Sequence, residues 1–335
     1  MPNVATNLKA AGPFVKTGFR PPIFDPGRLV INPERIFESY WNKLGGSPGK
    51  AVSDVESVAG GKRKRYEHGA LYYGGPTKHP VWVYGAIGDR YDQLGGPGSW
   101  LGFPFSDEAA FPQSGRVSQF EHGAIYWWPD VGAIELRDVV VHYTGLLCFG
   151  ESDSDQFFSD SDEPYVVIGT VTPFGSESDR SAIYDDVDGG EGVPDLKEIY
   201  RGPPYGITIS SLIIEHDDEN PDRYKDAMSA AVAAAATGVT AAVAVIPAVG
   251  ALLATVVGPL LASTVPVISS TLNDALDLAD DTIGYGNFML TAKDMVVMAA
   301  RKPVETYHGV GFKVQTPLIS RDGASYKACY SVVSV

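Results

Sequence analysis

The sequence predicts an α+β chain that is mostly β: small helix-plus-strand repeats, then an antiparallel β-sandwich carrying an inserted Ala-rich helical hairpin. Three observations predict it. A segment of the first half returns about fifty residues later; strand-like runs alternate with acidic stretches in the second half; and 47 residues between Asp226 and Asp274 contain no Asp, Glu, Lys or Arg. With 335 residues, 44% hydrophobic and 20% charged, the chain is long enough for two domains and too apolar to be disordered.

Residues 1–33 contain Pro13, Pro21, Pro22, Pro26 and Pro33 and read as an extended lead-in. Two repeats then fill 34–136. Tyr66-Glu67-His68-Gly69-Ala70-Leu71-Tyr72-Tyr73 returns as Phe120-Glu121-His122-Gly123-Ala124-Ile125-Tyr126-Trp127, 54 residues on; Tyr40-Trp41-Asn42-Lys43-Leu44-Gly45-Gly46 returns as Arg90-Tyr91-Asp92-Gln93-Leu94-Gly95-Gly96, 50 residues on. A period near 50 marks an array of small supersecondary units. Each unit opens with a short amphipathic helix (Ile36, Phe37, Tyr40 and Trp41; Ile87, Tyr91 and Leu94). Gly-Gly stops the helix by supplying positive φ at its C-cap. A Pro/Gly loop and an aromatic strand pair follow, with Gly69 and Gly123 allowing a turn or a close backbone approach.

Leu101-Gly102-Phe103-Pro104, preceded by Leu94-Gly95-Gly96 and followed by Gln119 to Trp127, resembles an LGFP repeat. In the first copy Gly49-Lys50-Ala51-Val52 stands where the tetrapeptide is expected. The family occurs in actinobacterial cell-envelope proteins and in other extracellular or hydrolase-linked contexts. The resemblance implies anchoring to, or recognition of, a cell-wall glycan or glycolipid, and it carries no catalytic residues.

Tyr72, Tyr73, Trp100, Tyr126, Trp127 and Trp128 are the candidate ligand-binding residues, because sugar C–H faces pack on aromatic rings. Strand alternation puts only every second one on a given face, so about half of them must be core. Glu67-His68 and Glu121-His122 read as structural, since strand neighbours face opposite ways. Lys62-Arg63-Lys64-Arg65, the one basic run, reads as a solvated loop. Cys148 and Cys329 lie in strand-like runs, able to pair or to remain buried thiols. Met1 to Lys9 lacks a basic stretch followed by an apolar run, so the expectation is a chain made in the cytoplasm, or released or surface-held without a classical leader.

From Arg137 the pattern turns to strands: Val139 to Tyr143, Tyr165 to Ile168, Ile207 to Ile214, Phe312 to Val314 and Tyr326 to Val335. The formal charge of −15 lies entirely between Glu151 and Arg223, where 19 acidic residues meet 4 basic ones. This argues against nucleic acid, which needs clustered Lys and Arg. The acids form three clusters between the strands, with Asp153 and Asp155; Asp185, Asp186 and Asp188; and Glu215, Asp217 and Asp218 as candidate metal ligands. Calcium (Ca2+) takes 6–8 oxygens at loose geometry and would relieve the repulsion; solvation alone is the other reading. No EF-hand loop is present. The arrangement is similar in architecture to a C2-like sandwich, which implies acidic calcium loops at one end.

The helical insertion spans about 220–282. Its uncharged core, 227–273, has 14 Ala and is long enough for two membrane spans. Yet Ala, Thr and Ser gain little from lipid, and Pro247, Pro259 and Pro266 cut the second half. A sheltered hairpin is one expectation. The other is a membrane-inserting element released when Asp274, Asp277, Asp280 and Asp281 are protonated or calcium is lost; in composition it resembles the hydrophobic hairpins of pore-forming bacteriocins.

Hydrolase and nucleotide-binding motifs are absent from the sequence. The sequence therefore points to a non-enzymatic, calcium-dependent recognition protein binding a glycan or cell-wall surface. A membrane-inserting pore-forming toxin using 227–273 is the alternative, and a cell-wall hydrolase using two loop carboxylates the third.

Overall fold

A computed structural model describes residues 32–77, 79–151, 162–216, 220–245, 250–276 and 282–335. The first repeat consists of α1 (Pro33–Lys43) and a sheet of β1 (Glu56–Val58), β2 (Gly61–Tyr66), β3 (Gly69–Tyr73) and β4 (Val81–Val83) in sequential order. The second has α2 (Gly85–Leu94), β5 (Ala109–Phe111), β6 (Gly115–Phe120), β7 (Gly123–Trp128) and β8 (Gly132–Leu136), again in order. Asn32 caps α1 by accepting the Glu34 N–H, and Pro33 fits the first turn, where no donor is needed. Gly95 ends α2 at φ 104°, as Gly-Gly predicts.

Lys62-Arg63-Lys64-Arg65 is not a loop. It forms the body of β2, where Arg63 pairs with Glu56, Lys64 with Glu34 and Arg65 with Asp92. Carboxylates from three other segments hold the charges in place, so a basic stretch runs as a strand.

The second half is a two-sheet antiparallel sandwich. Its elements are β9 (Val139–Gly150), β10 (Pro164–Thr172), β11 (Gly175–Arg180), β12 (Gly192–Gly202), β13 (Ile207–Glu215), α3 (Asp222–Ala244), α4 (Gly250–Leu276), β14 (Thr282–Leu290), α5 (Ala292–Ala300), β15 (Glu305–Tyr307), β16 (Val310–Phe312), β17 (Val314–Gln315), β18 (Ile319–Arg321) and β19 (Ala324–Ser334). One sheet runs β11-β10-β13-β14. The other runs β12-β9-β19-β17, with β18 also on β19.

The core between the sheets takes Val141 and Tyr143 from β9, Val166 and Ile168 from β10, Ile209 and Ile213 from β13, and Tyr330 and Val332 from β19. Alternate residues of β10 and β13 (Tyr165, Val167, Leu212 and Ile214) face away from that core. They pack against Tyr224, Met228, Val232, Leu261 and Ile268 of the hairpin. Strands buried on both faces read as unbroken apolar runs for this reason. The hairpin thus connects two neighbouring strands, β13 and β14, and covers their outer face. Thr208 of β13 fixes it, bonding Thr264 at 3.0 Å and the Leu261 carbonyl at 3.2 Å.

Pro247 lies outside the described residues; Pro259 and Pro266 do not cut the second helix, since α4 runs through both. They stand two turns apart, both exposed, so the backbone bonds they remove are lost on the solvent side. Cys148 and Cys329 are free and buried. Cys148 lies opposite Tyr326 and Cys329 opposite Gly145, and the two join different apolar clusters. Burial pushes the Cys329 thiol up to about 12 and raises that of Cys148, so neither is a reactive thiolate at neutral pH.

Candidate ligand clefts at the repeat joints

Each repeat is built around one glycine. Gly102 has φ +71°, and a Cβ there would fall 2.3 Å from Glu121 Oε2. That oxygen accepts the Phe103 N–H at 2.7 Å, while Tyr91 donates its hydroxyl to the Gly102 carbonyl at 2.6 Å. In the first repeat Gly49 has φ +81°. There Glu67 Oε2 accepts the Lys50 N–H at 2.9 Å, and Trp41 Nε1 donates to the Gly49 carbonyl at 2.7 Å. The tetrapeptide 101–104 therefore corresponds to Pro48-Gly49-Lys50-Ala51, one residue earlier than the sequence suggests. The glutamates of both Glu-His pairs pin these loops.

This register exposes the joint between units. Phe103, 5% exposed, lies over Gly61, Gly74 and Gly75 of the first repeat, where any Cβ would come within 2.8 Å of its ring or Cβ. Leu71 faces its own helix, with Phe37 and Tyr40, while Ala70 and Tyr72 face the next repeat, with Ile87, Tyr91, Leu101 and Phe103. The second repeat copies the pattern: Ile125 faces its own helix side, and Ala124, Tyr126 and Trp128 enter the sandwich core. The sandwich occupies the place of a third repeat, so the core does not stop at residue 136.

Beside each joint is an open cleft. The first, of about 580 Å³, is lined by Arg65, Glu67, His68, Tyr72, Tyr84, Asp89 and Asp92, among others. The second, of about 570 Å³, is lined by Phe105, Gln119, Glu121, His122, Tyr126, Arg137, Asp138 and Tyr205. Glu67, His68, Gly69, Ala70 and Tyr72 of one correspond, 54 residues on, to Glu121, His122, Gly123, Ala124 and Tyr126 of the other. In the first, Arg65 pairs with Asp92 at 2.9 Å, and Asp92 also accepts from Tyr72 at 3.2 Å. Tyr84 donates to Glu108 at 3.1 Å, and its burial raises its hydroxyl to about 12.

The six aromatics divide by face. Tyr72 and Tyr126 are buried and floor the clefts; Trp128 is wholly buried, its Nε1 donating to the Pro112 carbonyl at 2.9 Å. Tyr73 and Trp127 are half-buried against the helix-side cores. Trp100 is 47% exposed and packs over Gly123, a residue of the second cleft, without lining that cleft itself. Sequence reasoning missed Phe105, Gln119, Arg137, Asp138 and Tyr205. The shift from repeat to strand pattern at Arg137 was the available signal.

Of the acidic candidates, Asp153, Asp155, Asp217 and Asp218 lie outside the described residues. Asp185, Asp186 and Asp188 are exposed. Glu215 accepts the Glu163 N–H at 2.8 Å. Glu151 reaches the same loop, accepting the Gly189 N–H at 2.6 Å. Desolvation, then the charges of Glu151, Glu191 and Asp186, raise the Asp188 carboxyl above its usual range. Among the described residues no group of three or more His, Cys, Asp or Glu is placed to hold a metal ion.

No curated protein matches the chain. The LGFP repeat family matches residues 49–99 and 101–141, and with the joint geometry above this establishes that the chain carries two LGFP repeats.

Proposed function

We propose that the chain is a non-enzymatic recognition protein whose LGFP repeats bind a glycan or cell-wall surface. The repeats themselves suggest a cell-wall or surface-associated role. The observation that carries the finer reading is the duplicated cleft: the same Glu-His-Gly-Ala turn and tyrosine floor open to solvent at both joints. Both clefts, at about 570 and 580 Å³, fall in the size range usual for small-ligand sites. The test is sedimentation of the full-length protein with isolated bacterial cell walls. The protein is expected in the pellet, and in the supernatant once the wall polysaccharide has been removed; protein left in solution with intact walls contradicts the reading.

Calcium belongs to this proposal. Its support is the confinement of the whole charge excess to 151–223 and the gathering of Glu151, Glu191 and Asp186 around Asp188, whose carboxyl is raised by desolvation first and by those charges second. A ligand of the native state must stabilise it, so millimolar calcium is expected to raise the melting temperature; an unchanged melt removes calcium from the account.

The hairpin favours a second reading, action on membranes. Asp222–Ala244 and Thr255–Ala275 are long and apolar enough to cross a bilayer, and only 33% and 28% of their apolar windows are buried. Dye release from liposomes at pH 5 or pH 7 would support it, and intact vesicles at both would remove it.

A further inference from the structure

The two clefts match in backbone and differ in how their polar groups are used. In the first, the arginine, two of three tyrosines and two of three carboxylates are already bonded, leaving only Tyr66, His68 and Asp89 among the polar side chains: Arg65 and Tyr72 bond to Asp92, Tyr84 to Glu108, Glu67 to the Lys50 N–H. A ligand would have to break those bonds to gain its own, which leaves little net free energy.

In the second cleft, Glu121 is bonded to Phe103, but the side chains of Gln119, His122, Arg137, Asp138 and Tyr205 make no hydrogen bond or ion pair among the described residues. Arg137 and His122 are exposed, and Phe105 is 49% exposed at the same opening. Arg137 and Asp138 lie in the two-residue link between β8 and β9, outside any strand, so neighbouring residues line one cleft. Pro203 and Tyr205, from the turn between β12 and β13, close the other wall, making the cleft a joint product of repeat and sandwich.

The charges also narrow the ligand. Arg137 would favour an anion, yet Asp138 and Glu121 share the cleft and oppose one. A neutral ligand with adjacent hydroxyls suits the set, since a carboxylate accepts from hydroxyls while a guanidinium, amide or phenol donates to them. An exposed phenyl ring offers a surface for the apolar face of a sugar ring.

Building on the recognition role proposed above, we infer that the second cleft is the ligand site and takes an uncharged sugar ring. The vicinal diol is held by Arg137 and Asp138, and the ring face packs on Phe105.

The test is the wall-sedimentation assay with single variants and chemically altered walls. Arg137→Ala and Phe105→Ala change exposed side chains, and unchanged melting temperatures would confirm intact folds. Each is expected to raise the half-saturating wall concentration at least tenfold, a much larger rise than His68→Ala in the first cleft produces. Walls treated with periodate and then borohydride, which cleaves vicinal diols, are expected to lose the protein. Loss of binding in His68→Ala with retention in Arg137→Ala would overturn the inference while the recognition role stands. Full binding to periodate-treated walls would overturn the diol chemistry. A wild-type protein that ignores untreated walls would overturn both.

Discussion

The two repeats share a scaffold to within a few residues and differ at the two places where neighbours meet. Lys50 occupies in the first repeat the place that Phe103 occupies in the second; Lys50 is exposed, and Phe103 is packed onto three glycines of the unit before it. Gly74 stands where the second repeat has Trp128. Phe103 crowds the site of a Cβ at Gly74, whereas Trp128 fills the sandwich core. Residue type at these positions therefore reports what lies next door. In an array each unit buries one face on its own helix and the other on its neighbour, and here the sandwich is the last neighbour.

The largest effect should come from that last joint. Trp128→Ala removes a fully buried indole and one of the two donors to the Pro112 carbonyl, the Gly115 N–H remaining at 3.1 Å. It is expected to cost about 3–5 kcal/mol and to lower the melting of the sandwich as well as the repeat, since their core is continuous. A sandwich that melts unchanged would break the idea of a shared core. Phe103→Ala, at the joint between repeats, should cost about 3 kcal/mol. Lys50→Ala, at the same register position, should stay within about 0.5 kcal/mol. Equal effects in chemical denaturation would show the alignment to be wrong.

Smaller effects sharpen the comparison. Gly102→Ala meets a positive φ and a Glu121 oxygen at 2.3 Å, and Gly49→Ala meets Glu67 at 2.8 Å. Both should destabilise by about 1–3 kcal/mol, Gly102→Ala more. The smallest is electrostatic. Arg90 of α2 holds Glu135 of β8 through two hydrogen bonds, which keeps the Glu135 carboxyl below its usual range against the opposing pull of burial. Its folded pKa lies under its unfolded value, so the pair stabilises above the unfolded pKa and is lost as pH falls through the folded one. The expected size is about 0.5–1 kcal/mol because the pair is partly exposed. In the first repeat Tyr40 stands at the place of Arg90, bonding Asp107 at 2.6 Å. Arg90→Ala should thus flatten part of the acid dependence of melting; an unaltered pH profile would remove the ion pair from the account.

Much of this was legible in the sequence, and the exceptions share a cause. The repeats, their helices and the mostly-β class follow from local signals: Gly-Gly caps, recurrent aromatics and runs of Val and Ile. The first tetrapeptide shifts by one residue because Lys50 needs no apolar partner, leaving only Gly49 to set the register. Lys62 to Arg65 reads as a loop because its pairing acids, Glu34, Glu56 and Asp92, come from other segments. The face each aromatic takes depends on which unit follows it. Tyr205 joins the second cleft from about seventy residues down the chain, through sandwich topology that no local pattern encodes.

The most direct measurement is a hydrogen-exchange footprint of the full-length protein with and without soluble oligosaccharides released from the wall. Added protection is predicted at 119–126, 137–138 and 203–205, with 65–72 unchanged. Protection confined to 65–72 or to the hairpin, or none at saturating oligosaccharide, would contradict a recognition site built where the last repeat meets the sandwich.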